Sequence, residues 1–229
     1  MYIDTHLHES KYSFDSHQSL EDAIKMAKAR KIDGICVTNH DNSGLAKEIG
    51  WFSIIDGIRV IVGTEVYTKE GDILFFGKMD IPNCRIPFGE LIDMTKDIPR
   101  GFIAAHPYRC NNRGLKNSMA DFVDYLSSIE GWNGSTSVEE NMMAVREAMR
   151  LGIPINGAGD SHVAEKVGVY ATKFDNEINS YEEFIEQLNL GRFKAVKYKN
   201  GKYENALDLG YYNQDLKYKS ILNIRELKI

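Results

Sequence analysis

Short apolar runs alternate with helical hydrophobic patterns along most of this chain, and that alternation restricts its fold more than any other feature. Short apolar runs predict strands, and apolar residues at three- and four-residue spacing predict helices. The predicted strands are residues 2–5, 34–38, 59–64, 72–76, 101–105, 127–130, 153–156 and 168–172, and the predicted helices are 20–30, 45–52, 88–96, 121–126, 139–151 and 181–190. Such alternation predicts an α/β fold with a mainly parallel sheet, either open or closed into a barrel.

The composition is that of an ordinary globular protein. The 229 residues are 43% hydrophobic and 27% charged, with a formal net charge of -5, which argues against wholesale disorder and against a generic polyanion-binding surface. The chain has three cysteines, Cys36, Cys84 and Cys110, and they form no C-x-x-C pair. We therefore expect neither a disulfide framework nor a zinc knuckle. The cysteine pattern also predicts a cytoplasmic location. We see no signal peptide and no apolar run of about 20 residues, so we expect no membrane partner. The length predicts one domain over residues 1–229.

Five of the six histidines lie just past the ends of predicted strands, and several carboxylates share these positions. The C-terminal ends of parallel strands meet at one edge of a sheet, so residues distant in sequence can line one cavity there. These residues are His6 and His8 after the first strand, His40 and Asp41 after the second, Glu65 after the third, His106 after the strand at 101–105, and Asp160 and His162 after the strand at 153–156. The sequence therefore predicts a shared site at this edge.

The spacing within these motifs suits metal ligation. Alternate residues of a strand face the same side, so Asp4, His6 and His8 share a face, and Asp160 and His162 repeat that spacing. Mixed imidazole and carboxylate donors without cysteine favour Zn, Mn or Fe. With Asp15 included, the donors outnumber those that one tetrahedral ion requires, which predicts two or three divalent ions.

These motifs resemble the polymerase-and-histidinol-phosphatase (PHP) family of metal-dependent phosphoesterases. The matching segments run in family order over residues 4–162: Asp4-Thr-His6-Leu-His8, Ser13-Phe-Asp15, Thr38-Asn-His40-Asp41, Gly63-Thr-Glu65, Ala105-His106-Pro107 and Gly159-Asp160-Ser-His162. The resemblance implies a distorted (β/α)7 TIM-like barrel, forming a single domain, with a two- or three-metal site at the C-terminal ends of its strands.

The resemblance also implies how the ligands are shared among the ions. A first ion would be held by His6, His8, Glu65 and Asp160, and a second by Asp15, His40 and His162. Glu65 would bridge towards a third ion bound by His106. Trinuclear members usually place a further His or Cys after the next strand, where this chain has Ser128-Ile-Glu130-Gly-Trp132-Asn133. Either Glu130 or Asn133 substitutes there, or the third position is weakly filled.

Other side chains near the ligand motifs suggest roles in binding and proton transfer. Arg109, three residues after His106, is the predicted ligand of the substrate phosphate, with Arg113 and Lys116 as weaker candidates. Either Asp41 or His162 would protonate the leaving group. Asp4, by its position in the strand, would orient a histidine ligand.

Residues 192–229 form a basic C-terminal segment within this acidic chain. They include nine Lys or Arg against four Asp or Glu, with five interleaved tyrosines: Tyr198, Tyr203, Tyr211, Tyr212 and Tyr218. Such a segment either binds a nucleotide or short oligonucleotide, or forms a solvated edge of the fold, which we favour.

The sequence favours a phosphomonoesterase that uses a metal-activated water on a small substrate: a nucleotide, a sugar phosphate or histidinol phosphate. The alternatives are an exonuclease or oligonucleotide phosphodiesterase of the same family and an amidohydrolase-like C–N hydrolase. The last usually supplies a bridging lysine where this chain has Glu65, which counts against it.

Overall fold

Twelve strands form two β-sheets in the described residues, 1–82 and 84–208 of a computed structural model. They are β1 (Tyr2–Leu7), β2 (Gly34–Val37), β3 (Phe52–Ile55), β4 (Ile58–Val62), β5 (Thr64–Tyr67), β6 (Asp72–Phe76), β7 (Gly101–Ala104), β8 (Ser128–Asn133), β9 (Ile155–Ala158), β10 (Tyr170–Phe174), β11 (Phe193–Lys199) and β12 (Lys202–Asn205). The first sheet has the order β12-β11-β10-β1-β2-β4-β3, and the second has the order β5-β6-β7-β8-β9. With the helices between these strands, the chain has a mixed α/β fold.

Local capping chemistry sets the ends of several helices. The α-helices are α1 (Leu20–Ala29), α2 (Ala46–Ile49), α3 (Phe88–Met94), α4 (Val138–Leu151) and α5 (Tyr181–Leu190). Ser19 and Ser137 begin α1 and α4 with capping boxes, and Gly152 ends α4 with a left-handed φ of 76°. Among the described residues, none of these helices combines the length and apolar character that a bilayer span requires.

The prediction of a mainly parallel sheet is wrong. Of the ten strand pairings in the described residues, four are parallel and six are antiparallel. The parallel pairs are β1–β2, β2–β4, β7–β8 and β8–β9, which are joined by helical crossovers as predicted. Short turns join the antiparallel pairs β3–β4, β5–β6 and β11–β12, because a short connection returns the chain antiparallel to the strand it has left. The antiparallel pairs β6–β7 and β10–β11 are instead connected through α3 and α5.

The predicted helix over residues 45–52 is present but ends earlier than predicted. Helix α2 ends at Ile49, and Gly50, with a φ of 82°, turns the chain into β3. Strands β3 and β4 then form a hairpin around Asp56 and Gly57, whose φ values of 51° and 83° are those of a type I′ turn. The Asp-Gly pair between two apolar runs was the sequence signal for this hairpin.

The remaining differences concern residues 121–126 and the C-terminal segment. The predicted helix at 121–126 is replaced by a 3₁₀ helix at Lys116–Phe122. Residues 192–208 of the basic segment include β11 and β12, where the ring of Tyr203 stacks on Tyr2 with centroids 4.8 Å apart. Tyr211, Tyr212 and Tyr218, and the basic residues after 208, lie outside the described residues, and the assignment of residues 1–229 to one domain stays a prediction.

A closed (β/α)7 barrel is not confirmed, because the strands form two sheets rather than one continuous ring. Two isolated bridges join the sheets in the described part of the chain, Leu7 with Ser161 and His40 with Glu65. Both bridges lie at the ends of strands that carry predicted ligands. The two sheets are therefore bridged where the sequence predicts the site.

Candidate metal centre

The predicted metal ligands meet at the edge where the two sheets are bridged. His6 lies in β1 and Glu65 in β5, while His8, His40, His106, Asp160 and His162 lie in the segments that follow β1, β2, β7 and β9. Their donor atoms form three groups, and within each group all donors lie within 4.8 Å of one another: His6–His8–Asp160, His6–Glu65–His106 and His8–His40–His162. The structure thus brings every predicted histidine together, and only the exposed His17 lies outside these groups.

Backbone hydrogen bonds fix the relative positions of the ligand segments. The N–H of Asp160 donates to the carbonyl of His6 at 2.8 Å, and that of His8 donates to the carbonyl of Ser161 at 2.9 Å. Asp41, His106 and Asp160 have positive φ values of 45°, 29° and 46°. Residues with a Cβ rarely adopt these angles, and such backbone strain concentrates at functional sites.

Glu65 is the central carboxylate of the cluster. Its Oε1 lies 2.8 Å from Nε2 of His106. Its Oε2 lies 3.3 Å from Nε2 of His6, 3.2 Å from Nε2 of His8 and 2.9 Å from Nδ1 of His40. Burial opposes ionisation of Glu65, but the charge of His6 and the hydrogen bond with His106 hold its pKa well below the ordinary value. Glu65 is therefore an anion placed among four imidazoles.

The donor set fits divalent cations. His6 donates from Nδ1 to the carboxylate of Glu130 at 3.0 Å, which leaves Nε2 as the nitrogen that can bind a metal once its proton is lost. That Nε2 lies only 3.0 Å from Nε2 of His8. The buried Oε2 of Glu65 has close nitrogen neighbours but no aligned hydrogen bond. Two facing ring nitrogens and an unsatisfied buried carboxylate oxygen are the arrangement that a bound Zn, Mn or Fe ion would relieve.

The group of His8, His40 and His162 lies towards solvent. His40 and His162 face the carboxylate of Asp15, whose Oδ2 lies 3.0 Å from Nε2 of His40 and 3.3 Å from Nε2 of His162. The ring of His8 stacks between those of His40 and His162, with centroids 4.2 and 4.3 Å apart. Burial and the neighbouring charge of His8 lower the pKa of His162, so its ring favours the neutral form that can ligate.

The remaining group contains His6, Glu65 and His106. Glu130 and Asn133, the two residues considered for an additional ligand here, are both engaged elsewhere. Glu130 accepts from the ring of His6 and from the backbone N–H of His106, and Asn133 donates to Glu130 and to Asp160. Neither belongs to a ligand group in the described residues, so neither adds a donor to the group of His6, Glu65 and His106.

Asp4 acts on the site through the backbone rather than through a histidine ring, which corrects the role we predicted. Its Oδ1 accepts from the N–H of Gly159 at 2.8 Å and of His6 at 3.3 Å, and its Oδ2 accepts from Gly168 at 2.7 Å. Both ring nitrogens of His6 already face other groups. Asp4 therefore joins β1 to the segment that carries Asp160, and Glu130 is the carboxylate that orients His6.

Arg109 lies beside the first group, with part of its guanidinium engaged by protein atoms. Nη2 donates to Asp160 and to Oδ1 of Asn133 at 2.9 Å, and Nε donates to Thr136 at 3.0 Å. Its side chain is 20% exposed, and among the described residues Nη1 has no partner. Arg109 thus both holds Asp160 and keeps one edge available to an anion.

The two residues considered for leaving-group protonation differ in exposure and in whether they belong to a ligand group. Asp41 accepts from the backbone N–H of Tyr67 through Oδ1 at 2.9 Å. His162 is 29% exposed and belongs to a ligand group, whereas Asp41 belongs to none among the described residues. A substitution of Asp41 would therefore remove none of the grouped donors, and its role in proton transfer stays a prediction.

Glu130 and Asp72 are functional candidates whose roles the sequence analysis missed. Asp72 is buried at the first residue of β6, with Oδ2 3.8 Å from Nε2 of His106, and pairs with Arg113. Burial and the charge of Glu65 raise the pKa of Asp72 to about 7. Because β6 runs antiparallel to β5 and β7, its first residue lies at the edge where the parallel strands end. A search restricted to the ends of strands could not find it.

Comparisons with known proteins give matches in sequence and in fold. A family model described as PHP-associated matches residues 138–193. An uncharacterized protein of Methanocaldococcus jannaschii is 31% identical over 144 residues, which cover 58% of this chain and 82% of that protein.

Solved structures share the fold at low sequence identity. PsfC from Pseudomonas syringae superposes with a TM-score of 0.71 at 14% identity, over 87% of this chain and 92% of that one. A two-domain protein from Bacteroides vulgatus that contains a predicted PHP-like metal-dependent phosphoesterase gives 0.62 at 17% identity, over 86% and 65%. The lesion-specific endonuclease PfuEndoQ from Pyrococcus furiosus gives 0.57 at 15% identity, over 82% and 56%. The PHP-associated model match and the shared fold confirm the resemblance to PHP-like proteins that the ligand motifs predict.

Proposed function

We propose that this protein is a metal-dependent phosphoesterase that hydrolyses a phosphate monoester of a small molecule. The substrate is a nucleotide, a sugar phosphate or histidinol phosphate, and the cofactors are two or three divalent ions of Mn, Zn or Fe. The observation that carries the proposal is the buried Glu65 carboxylate, with the ring nitrogens of four histidines 2.8–3.3 Å from its two oxygens. Linked imidazole–carboxylate groups of this kind suit a site with more than one metal ion.

Divalent ions bound in such a site activate a water molecule as nucleophile and polarise the phosphoryl oxygens. The protein's own residues supply the other requirements. Arg109 offers Nη1 to the substrate phosphate while its opposite edge holds Asp160. Asp41 or His162 delivers a proton to the leaving oxygen, and Glu130 keeps the Nε2 lone pair of His6 directed into the site.

A second candidate function is an exonuclease or oligonucleotide phosphodiesterase. The observation that favours it is the series of lysines on and next to the last two described strands, Lys194, Lys197, Lys199 and Lys202. A groove that follows a nucleic-acid backbone requires such positive charge. Cys36, Cys84 and Cys110 are all free, which supports the reducing cytoplasm that we propose for either activity.

Metal analysis coupled to a phosphate-release assay tests the proposal. Purified protein is loaded with Mn, Zn or Fe, its metal content is measured, and phosphate release is followed with nucleotides, sugar phosphates, histidinol phosphate and short RNA. His8→Ala and Asp160→Ala should lose bound metal and activity while keeping the helical circular dichroism signal. His17→Ala, at the histidine outside the three groups, is the matched control and should behave as the wild type.

Two results would contradict the proposal. Wild-type turnover in His8→Ala after metal depletion and reloading would exclude the metal mechanism. Release of shortened strands or mononucleotides from RNA, with no phosphate from any monoester, would favour the second candidate.

A further inference from the structure

Glu9 and Asn39 form a reciprocal hydrogen-bonded pair next to two of the candidate ligands. The backbone N–H of Glu9 donates to Oδ1 of Asn39 at 2.9 Å, and Nδ2 of Asn39 donates to Oε1 of Glu9 at 3.0 Å. Both side chains are buried, with 3% and 1% of their surface exposed. Glu9 directly follows His8, and Asn39 directly precedes His40. The pair therefore joins two chain segments at the positions adjacent to their ligands.

The pair continues the contact between β1 and β2 past the end of their backbone pairing. The last residues in register are Leu7 and Val37, and the N–H of Thr38 donates to the carbonyl of Leu7 at 2.9 Å. The side chains of Glu9 and Asn39 then connect the two segments. A side-chain pair thus takes the place of the ladder where the strands end and the ligand segments begin.

Ser13 adds a further contact between the same segments. Its hydroxyl lies 3.3 Å from Nδ1 of His8 and accepts from the backbone N–H of His40 at 3.3 Å. The rings of His8 and His40 stack with their centroids 4.2 Å apart. The separation of these rings is therefore set by hydrogen bonds of side chains beyond the β1–β2 ladder.

The backbone of the pair also holds two other ligand segments. The carbonyl of Glu9 accepts from the N–H of Ser13 at 3.0 Å, which begins the turn that carries Asp15. The carbonyl of Asn39 accepts from the N–H of Glu65 at 3.2 Å. Through side chains and backbone together, the pair is connected to every segment that contributes to the solvent-facing side of the centre, except that of His162.

The hydrogen bonds of the pair have a fixed polarity. Oε1 of Glu9 accepts from Asn39, and Oε2 accepts from the N–H of Lys11 at 2.9 Å. In Asn39→Asp, two carboxylate oxygens would face each other. In Glu9→Gln, two donors would face each other whichever way the amides turn. In Glu9→Gln/Asn39→Asp all three hydrogen bonds form again, with donor and acceptor of the side-chain contact reversed.

We propose that Glu9 and Asn39 are positioning residues for the divalent ion held by His8, His40 and His162. The inference rests on the proposed function only in requiring that this centre binds metal. The pair holds His8 and His40 close together before the ion arrives. Ligands that are already in place lose less conformational freedom when the ion binds, so the pair raises the affinity of this one site.

Metal titration of the wild type, Asn39→Asp, Glu9→Gln and the double variant tests the inference. The metal-depleted proteins are titrated with Zn in competition with a fluorescent chelator, which gives the number of bound ions and the Kd of each. His162→Ala, which removes a ligand of this group alone, identifies the ion concerned. Each single variant should raise the Kd of that ion by about 10- to 100-fold and change the other sites less.

The double variant should return this Kd to within about threefold of the wild-type value, because the hydrogen bonds are restored. Asn176→Asp adds the same charge at an exposed position two residues after β10, which pairs there with the start of β1, and is the matched control. Urea unfolding of the metal-free proteins measures stability in parallel. If Asn39→Asp does not fold, Glu9→Gln and the double variant carry the comparison.

The outcomes separate the inference from the proposed function. If the single variants bind every ion as the wild type does, or if the double variant binds no better than they do, the inference is overturned, and phosphate release by the wild type leaves the proposed function standing. Weakening of all ions alike, in proportion to the loss of stability in urea, would also overturn it, because the pair would then have a structural role. If metal affinity depends on the pair but no substrate releases phosphate, the proposed function fails and the inference stands. A wild type that binds no divalent ion overturns both.

Discussion

Glu130→Gln should weaken metal binding without removing a metal ligand. Glu130 uses both carboxylate oxygens: Oε1 accepts from Nδ1 of His6 at 3.0 Å, and Oε2 accepts from the N–H of His106 at 2.8 Å and from Asn133 at 2.7 Å. Glutamine keeps one acceptor and replaces the other with an NH₂ donor. The substitution therefore preserves shape and burial but changes which hydrogen bonds can form.

The geometry decides how the new amide orients. If its NH₂ group faced His106 and Asn133, two buried donors would lose their acceptor, at about 1–3 kcal/mol each. The amide oxygen should therefore stay on those two donors, and the NH₂ group should face Nδ1 of His6. His6 must then accept at Nδ1 and carry its proton on Nε2, which is the nitrogen that points at Glu65 and His8.

Metal binding to this variant must first reverse that tautomer. We expect a loss of ~10- to 100-fold in affinity, or about 1.4–2.7 kcal/mol, as is typical for partners that orient a ligand. Competition with a fluorescent chelator measures the affinity, and ¹⁵N NMR of the imidazoles reports which nitrogen carries the proton. Glu139→Gln, at an exposed position on α4, is the control. Wild-type affinity in Glu130→Gln, or an unprotonated Nε2 on His6, would refute the reasoning.

Three further predictions concern stability. Asp4→Asn leaves the N–H of Gly168 facing a donor and should lower the free energy of unfolding in urea by about 1–3 kcal/mol, whereas Asp175→Asn at an exposed site should not. In the metal-free protein, burial opposes the charge on His40 but Glu65 raises its pKa to about 9 from an ordinary 6.5. The stability that it contributes is therefore complete below pH 6.5 and is lost as the pH rises to about 9, and urea titrations should show this slope in the wild type and a smaller one in His40→Gln. Gly114→Ala should destabilise by about 1–3 kcal/mol because its Cβ meets the Pro107 backbone, whereas Gly89→Ala in α3, where a Cβ meets nothing within 4 Å, should be neutral or stabilising in thermal melts.

The sequence predicted the donors of the site better than their surroundings. His6 and His8 could be placed because strand alternation is local, and His40, His106 and Asp160 because parallel strands end at a shared edge. Asp72 could not be placed in this way, since its position at the edge depends on β6 being antiparallel to its neighbours. Strand direction is set by the connections between strands and by long-range pairing, which the residues of β6 do not encode.

Hydrogen-bond partners were harder to predict than positions. The alternation of side chains along a strand placed Asp4 on the same face as His6. The acceptor that the ring of His6 contacts is instead Glu130, which is 124 residues away in the chain. Similarly, the proximity of Arg109 to His106 in sequence suggested a substrate contact and gave no sign of its ion pair with Asp160. Such pairings depend on the packing of β1, β8 and the loops after β7 and β9 against one another, which a single sequence does not specify.

The two bridges between the sheets give the site a mechanical role. His6, His8 and His40 lie in strands of the first sheet or in the segments that follow them, whereas Glu65, His106, Asp160 and His162 lie in a strand of the second sheet or in the segments that follow its strands. A cation held between them would add a link between the two sheets beside the bridges Leu7–Ser161 and His40–Glu65. A ligand present at about 100 times its dissociation constant raises the free energy of unfolding by about 2.7 kcal/mol. The melting temperature of this protein should therefore rise with the concentration of free metal ion. Removal of the metal with a chelator should first separate the two sheets at the two bridges.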